Sequence, residues 1–159
     1  MKHVYWIVPE LLAGRPGPHE APWNLQELWD GGFRTIVSLS RIDGQPIRAA
    51  GFRHHAVPLN GGLAFLPLLR NVLARRMIPV IDTIAGEVAA GRPTLVHCRQ
   101  GRDRTGAVLA GYMIRHGGLS PAEALRALRR LNPQAMVSPG FDRLPRLLLP
   151  KSATGEQDE

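Results

Sequence analysis

The chain contains 159 residues, 44% of them hydrophobic and 21% charged. This is typical of one folded domain and excludes a disordered or membrane-spanning chain. The formal net charge of +7 is carried by 18 arginines and only 2 lysines, and it favours anionic partners. No helix-turn-helix, zinc or RNA-binding signature accompanies this charge, so nucleic-acid binding is not expected.

The N-terminus and the cysteine content indicate a location. No long apolar run follows a basic start, so neither a secretory signal nor a transmembrane segment is expected. The one cysteine permits no internal disulfide, and a catalytic thiol must stay reduced, which favours the cytoplasm. We expect a single domain over residues 1–150 and a frayed polar tail over 151–159.

Strand and helix patterns alternate along the chain, which favours an α/β fold. In chain order, the first half predicts a strand at 5–8, a loop at 14–18, a helix from Leu25 that is capped by Asn24 and ended by Gly31 and Gly32, a strand at 33–39, a short helix at 45–50 and a strand at 52–59. The second half predicts a helix at 79–90, a strand at 94–97, a helix at 105–116 and a helix at 121–131, which begins with a capping box formed by Ser120 and Glu123.

Residues 63–76 are rich in leucine and arginine and give no decisive pattern. We expect their apolar side chains to be buried in the core. A surface that faces a membrane or a partner, or a mobile lid over 60–76, is the alternative.

The most informative segment is HCRQGRDRTG, from His97 to Gly106. It places the only cysteine at the end of a predicted strand and an arginine six residues later, where a helix is predicted to begin. The N–H groups of such a loop, together with the positive end of the helix dipole, form a nest for phosphate or a similar oxyanion. The predicted phosphate-binding residues are Arg99, Gln100, Gly101, Arg102 and Gly106.

The residue types in this segment suit nucleophilic catalysis. We expect Cys98 to attack as a thiolate and Arg104 to hold two oxygens of the anion with its planar guanidinium. Thr105 is expected to donate its hydroxyl to the sulfur, and His97 to orient the loop by hydrogen bonds. The alternative is that Cys98 is an inert buried thiol, the usual fate of a lone cysteine.

The same segment resembles the signature loop of the cysteine-dependent protein tyrosine phosphatase superfamily, in its compact dual-specificity branch. The likeness extends to the opening residues 5–14, to Leu131-Asn132-Pro133 and to residues 138–144. It implies a central, mainly parallel sheet flanked by helices. It also implies a phosphatase that forms a cysteinyl-phosphate intermediate and needs no metal or other cofactor.

The general acid departs from the family's pattern. Dual-specificity phosphatases usually carry it as an aspartate after the strand predicted at 52–59, where this chain has Asn60, which cannot donate the proton. We expect Asp103 to replace it, because a carboxylate beside a phosphate dianion is repelled when ionised and so retains a proton. The alternative is that Asp103 only pairs with Arg102 or another arginine of the loop.

The sequence leaves three hypotheses about the substrate and activity. The resemblance implies proteins phosphorylated on tyrosine, serine or threonine as substrates. The basic residues Arg99 and Arg102 resemble those of a lipid phosphatase, and leave open a phosphoinositide or inositol polyphosphate substrate. A phosphate-binding module without turnover is the third hypothesis, because the usual acid loop is lost.

Overall fold

The computed structural model describes residues 1–151, so the expected tail lies outside the described residues from 152 onwards. Within the described range, one sheet contains the strands β1 (Tyr5–Val8), β2 (Leu12–Pro16), β3 (Thr35–Ser38), β4 (Arg53–Ala56) and β5 (Thr94–Cys98). Their order is β1-β2-β5-β3-β4, with β1 antiparallel to β2 and the other pairs parallel. The predicted α/β fold with a mainly parallel central sheet is confirmed.

Helices cover both faces of the sheet. They are α1 (Leu25–Asp30), α2 (Gln45–Ala49), α3 (Pro67–Ala89), α4 (Arg104–Arg115), α5 (Pro121–Leu131) and α6 (Leu144–Leu147), with 3-10 turns at Gly61–Ala64 and Phe141–Arg143. Because side chains alternate along a strand, Leu95 packs with the α1 and α2 side, while Val96 packs with α3 and α4. None of the described helices combines the length and the hydropathy that a bilayer crossing needs.

Local capping signals are confirmed where the sequence shows them. The side chain of Asn24 accepts hydrogen bonds from the amides of Gln26 and Glu27, which fixes the start of α1. The reciprocal capping box of Ser120 and Glu123 starts α5. The strand and helix that enclose the HCRQGRDRTG segment also lie where they are predicted, as β5 and α4.

The predicted start of the long helix is wrong. Pro67, and not Pro79, occupies the first turn of α3, and Pro79 lies inside the helix. Proline has no N–H, so Pro79 donates no hydrogen bond to the carbonyl of Arg75. Both residues are exposed, so water can bind this carbonyl instead. The buried residues Leu73 and Met77 keep the helical period on the core side, which carries α3 through the proline.

Two further expectations are wrong. Residues 14–16 belong to β2 rather than to a loop, because they pair with β5 in a parallel ladder. The segment 65–69 is exposed at every position rather than buried in the core.

Glu87, near the end of α3, fastens the helix to the sheet at the end opposite the carboxyl ends of the strands. Its buried carboxylate accepts hydrogen bonds from Thr35, Arg53 and Arg92 and contacts His55. Burial raises the pKa of Glu87, but these hydrogen bonds outweigh it and lower the pKa to about 2. The carboxylate therefore stays ionised and anchors the layer that supports the loops at the other end.

Candidate active site

The HCRQGRDRTG segment lies at the carboxyl end of the parallel sheet. Strand β5 runs between β2 and β3 and ends at Cys98, and α4 begins at Arg104. In open α/β sheets, ligands bind in the crevice outside the carboxyl ends of the strands. The loops that follow β2 and β3 therefore flank the loop that carries the cysteine.

The thiol of Cys98 lies in a loop whose amides are mostly unpaired. Its Sγ accepts a hydrogen bond from the amide of Gly101 at 3.2 Å, and the residue is 2% exposed. The amides of residues 99, 100 and 102–105 donate to no acceptor among residues 1–151. Unpaired amides at a helix N-terminus are suited to anions, which makes this loop the candidate oxyanion site.

Two glycines of the segment are required for different reasons. Gly101 has a positive φ of 68°, and a Cβ there would lie 2.5 Å from the carbonyl group of Arg15. Gly106 lies inside α4, where its amide donates to the carbonyl of Arg102 and a Cβ would lie 3.0 Å from Met136. Gly101 thus shapes the loop, whereas Gly106 allows α4 to pack closely against the segment that contains Met136.

Arg104 is fixed against the ends of two strands. Its Nη1 donates to the carbonyls of Leu39 and Leu59 at 3.4 and 3.2 Å. A guanidinium has five N–H donors, so these contacts leave the other nitrogens for two oxygens of an anion. The next residue, Thr105, is fully buried, and its Oγ1 has no hydrogen-bond partner among the described residues, which leaves the hydroxyl available to the site.

His97 takes part in a buried hydrogen-bond chain behind the loop. Its Nδ1 donates to the carbonyl of Cys98 at 3.1 Å, so its Nε2 accepts from the hydroxyl of Ser38 at 2.6 Å. The hydroxyl of Ser38 in turn accepts from Nε2 of His54 at 2.8 Å. Burial lowers the pKa of His97 to about 4, so its ring is neutral at physiological pH and suited to positioning the loop.

Asp103 contacts neither of the loop arginines within hydrogen-bond distance. Its carboxylate accepts hydrogen bonds from the amide and the hydroxyl of Ser138, and its side chain is half-buried. A serine hydroxyl also accepts hydrogen bonds, so the same contact suits a protonated carboxyl. Asn60, by contrast, caps the following 3-10 turn by accepting from the amide of Gly62.

The two flanking arginines of the loop face different cavities. Arg99 lines a cavity of about 580 Å³ together with Arg104 and His97. Arg102 and Gln100 line another cavity, of about 620 Å³, on the side of Asn132. One small polyphosphate in the first cavity would therefore meet Arg99 but not Arg102.

The cavity beside Arg104 is lined by further basic side chains to which the sequence motif gives no role. Arg41, in the loop after β3, and His19, in the loop after β2, line it with Arg99, and no carboxylate of the described residues does. Within the described chain, Arg41 forms no ion pair. The position of Arg41 shortly after a predicted strand could have indicated it, because loops that follow neighbouring parallel strands meet at one edge of the sheet.

Two side chains support the loop from its other side. The hydroxyl of Tyr5 and the amide of Asn132 both donate to the carbonyl of Gly101, at 2.7 and 3.3 Å. Burial raises the pKa of Tyr5, so it stays a hydroxyl donor at physiological pH. Both positioning residues lie in segments that resemble the family, but no sequence pattern assigns them this role.

Comparisons with known proteins agree with this geometry. A family model described as Swiss Army Knife protein, DSP-PTPase phosphatase domain, matches residues 1–159. Dual specificity phosphatase 28 of Homo sapiens is 34% identical over 135 residues, which cover 85% of this chain and 71% of that protein. CDC14AB of Danio rerio, a dual specificity protein phosphatase, is 28% identical over 148 residues, but these cover only 23% of its length.

The fold is shared with a solved structure. The crystal structure of human DUSP28 superposes with a TM-score of 0.74 at 26% sequence identity, and the match covers 93% of each chain. The five-stranded sheet and the loop at its carboxyl edge thus belong to a known architecture.

The buried His97 predicts a pH-dependent stability. Its pKa rises from about 4 in the folded chain to the ordinary 6.5 on unfolding, so its contribution is complete above pH 6.5 and is lost as the pH falls towards 4. The loss amounts to about 3 kcal/mol. We expect the stability gap between wild type and His97→Asn, measured by urea denaturation, to narrow over this range. His19→Asn is the exposed control, and parallel pH curves for wild type and His97→Asn would contradict the assignment.

Proposed function

The chain belongs to the dual-specificity phosphatase family, and we propose that it hydrolyses phosphomonoesters through a cysteinyl-phosphate intermediate without a metal. Its family makes it a phosphoric monoester hydrolase of the protein tyrosine and dual-specificity type. The observation that supports the mechanism is the hydrogen bond from the Gly101 amide to Cys98 Sγ, in a loop whose remaining amides have no acceptor among residues 1–151 and which leads into the helix that begins at Arg104.

In the first step, the thiolate of Cys98 attacks phosphorus, and an S–P bond forms while the ester P–O bond breaks. The loop amides and Arg104 hold the three non-bridging oxygens, whose charge they stabilise in the transition state. In the second step, water attacks phosphorus, the S–P bond breaks, and inorganic phosphate leaves. Thr105, whose hydroxyl is otherwise unpartnered, donates to the departing sulfur.

Asp103 acts as the general acid in this mechanism. It gives its proton to the oxygen of the leaving group in the first step and takes a proton from water in the second. The contact with Ser138 holds the carboxyl in place in both protonation states. Asn60 takes no part, since its side chain caps a turn and cannot supply a proton.

The substrates we propose are proteins phosphorylated on tyrosine, serine or threonine. Support comes from the relatives, which are named dual specificity phosphatases. A second candidate is a phosphoinositide or inositol polyphosphate, which is favoured by one observation. Arg41 and Arg99, with His19 beside them, line the cavity next to Arg104, and the two guanidinium groups suit a second phosphate.

The nucleophile is tested with p-nitrophenyl phosphate. We expect Cys98→Ser to lower kcat by roughly 10⁴-fold or more, because the hydroxyl is not ionised near neutral pH. Turnover by the wild type should survive a chelator and be blocked by vanadate, and a phosphocysteine adduct should be trapped by rapid acid quench. If phosphate bound to the wild type but no turnover occurred, the protein would be a binding module.

The acid is tested by comparing leaving groups. Asp103→Asn is expected to lower kcat for an alkyl phosphate by about 10²- to 10⁴-fold and to affect p-nitrophenyl phosphate much less, because nitrophenolate leaves without a proton. Asp142→Asn is the matched control, since Asp142 is exposed and forms no hydrogen bond in the described chain. An unchanged rate on the alkyl phosphate would exclude the role.

The substrate class is tested by a panel of a phosphotyrosine peptide, a soluble phosphoinositide and an inositol polyphosphate. If the second candidate is correct, Arg41→Ala and Arg99→Ala should each lower the ratio of kcat/KM for the polyphosphate to that for p-nitrophenyl phosphate by about tenfold. Arg102→Ala, in the other cavity, should change this ratio less. Equal losses on all substrates would favour the phosphoprotein substrates.

A further inference from the structure

The start of α3 carries an unusual concentration of exposed apolar side chains. Phe65 is 65% exposed, Leu66 50%, Leu68 81% and Leu69 38%. Single exposed apolar residues are normal on protein surfaces, but a contiguous group marks an interaction site. These four residues, called here the apolar surface, lie within five consecutive positions and have no cover within the described chain.

Exposed arginines border the apolar surface on two sides. Arg143 and Arg146 line a groove beside Pro67, together with the half-exposed Leu147. Along α3, Arg75 and Arg76 lie seven residues after Leu68 and Leu69 and therefore continue the same stripe of the helix.

The charge of this border is strongly positive. None of its four arginines forms an ion pair within residues 1–151. Asp142 is the one carboxylate that the described chain places in the groove. The face thus offers apolar side chains in the centre and free guanidinium groups around them.

One end of the apolar surface is close along the chain to residues that contact Arg104. The carbonyl of Leu59 binds Arg104, and a Cβ on Gly61 would lie 3.4 Å from the Arg104 side chain. Phe65 follows Gly61 by only four residues, across the 3-10 turn. Phe65, at one end of the apolar surface, is thus separated by only one 3-10 turn from a residue next to the Arg104 side chain.

We propose that the apolar surface docks onto an anionic lipid bilayer. Apolar side chains enter the boundary between headgroups and acyl chains, while arginines are attracted to anionic headgroups, and both features are present on this face. A second copy of the chain fits less well, because a twofold contact through this face would bring the arginines of one copy against those of the other.

The proposal is tested by sedimentation with vesicles of phosphatidylcholine alone and of phosphatidylcholine mixed with phosphatidylserine. The wild type should bind the mixed vesicles more tightly, and added salt should weaken this binding. Phe65→Ser/Leu68→Ser and Arg143→Gln/Arg146→Gln should each weaken it by about tenfold or more. Leu131→Ser is the matched control, because Leu131 is 48% exposed at the end of α5 and does not line the groove of Arg143 and Arg146.

Near-ultraviolet circular dichroism and turnover of soluble p-nitrophenyl phosphate verify that the variants fold. The proposal is overturned if the wild type shows no preference for anionic vesicles, or if both double variants bind like the wild type. It is also overturned if the wild type is a dimer that Phe65→Ser/Leu68→Ser dissociates, which would assign the surface to a second copy. Vesicle binding does not require turnover, so this result is independent of the catalytic mechanism.

Discussion

Six backbone amides of the loop that follows Cys98 have no acceptor among residues 1–151, and the surrounding structure holds this loop in place. Unsatisfied amides are costly unless an anion or water occupies them, so a loop of this kind needs support from outside. His97 binds the carbonyl of Cys98 from beneath, and Tyr5 and Asn132 bind the carbonyl of Gly101 from the side. The loop is thereby preorganised for an anion before any ligand arrives.

The elements that the sequence predicts well carry their own local signals. Asn24 and Ser120 mark helix starts by side-chain capping, and the β-branched run before Cys98 indicates a buried strand. The start of α3 was missed because Pro79 is as suitable for a first helical turn as Pro67 is. Tertiary packing decides where the helix begins, since Pro79 faces solvent while Leu73 and Met77 enter the core.

The residues of the candidate site also differ in whether a local pattern predicts them. Cys98, Asp103 and Arg104 lie within seven residues, so their motif could be recognised in the sequence alone. Arg41 and His19 approach them only because β5 lies between β2 and β3. That strand order cannot be predicted from any short segment of the sequence. Ser138 reaches Asp103 from 35 residues away, in a loop whose course depends on how α5 packs.

The placement of Asp103 on the nucleophile's own loop has a kinetic consequence. Where a phosphatase carries its acid on a separate segment, that segment must swing inward before each turnover, and its motion is able to limit the rate. Here the acid we propose is one residue before Arg104, so no second segment has to move in to deliver the proton. Catalysis in this chain would then be ungated, with its speed set by bond breaking or by departure of phosphate rather than by the closing of a flap.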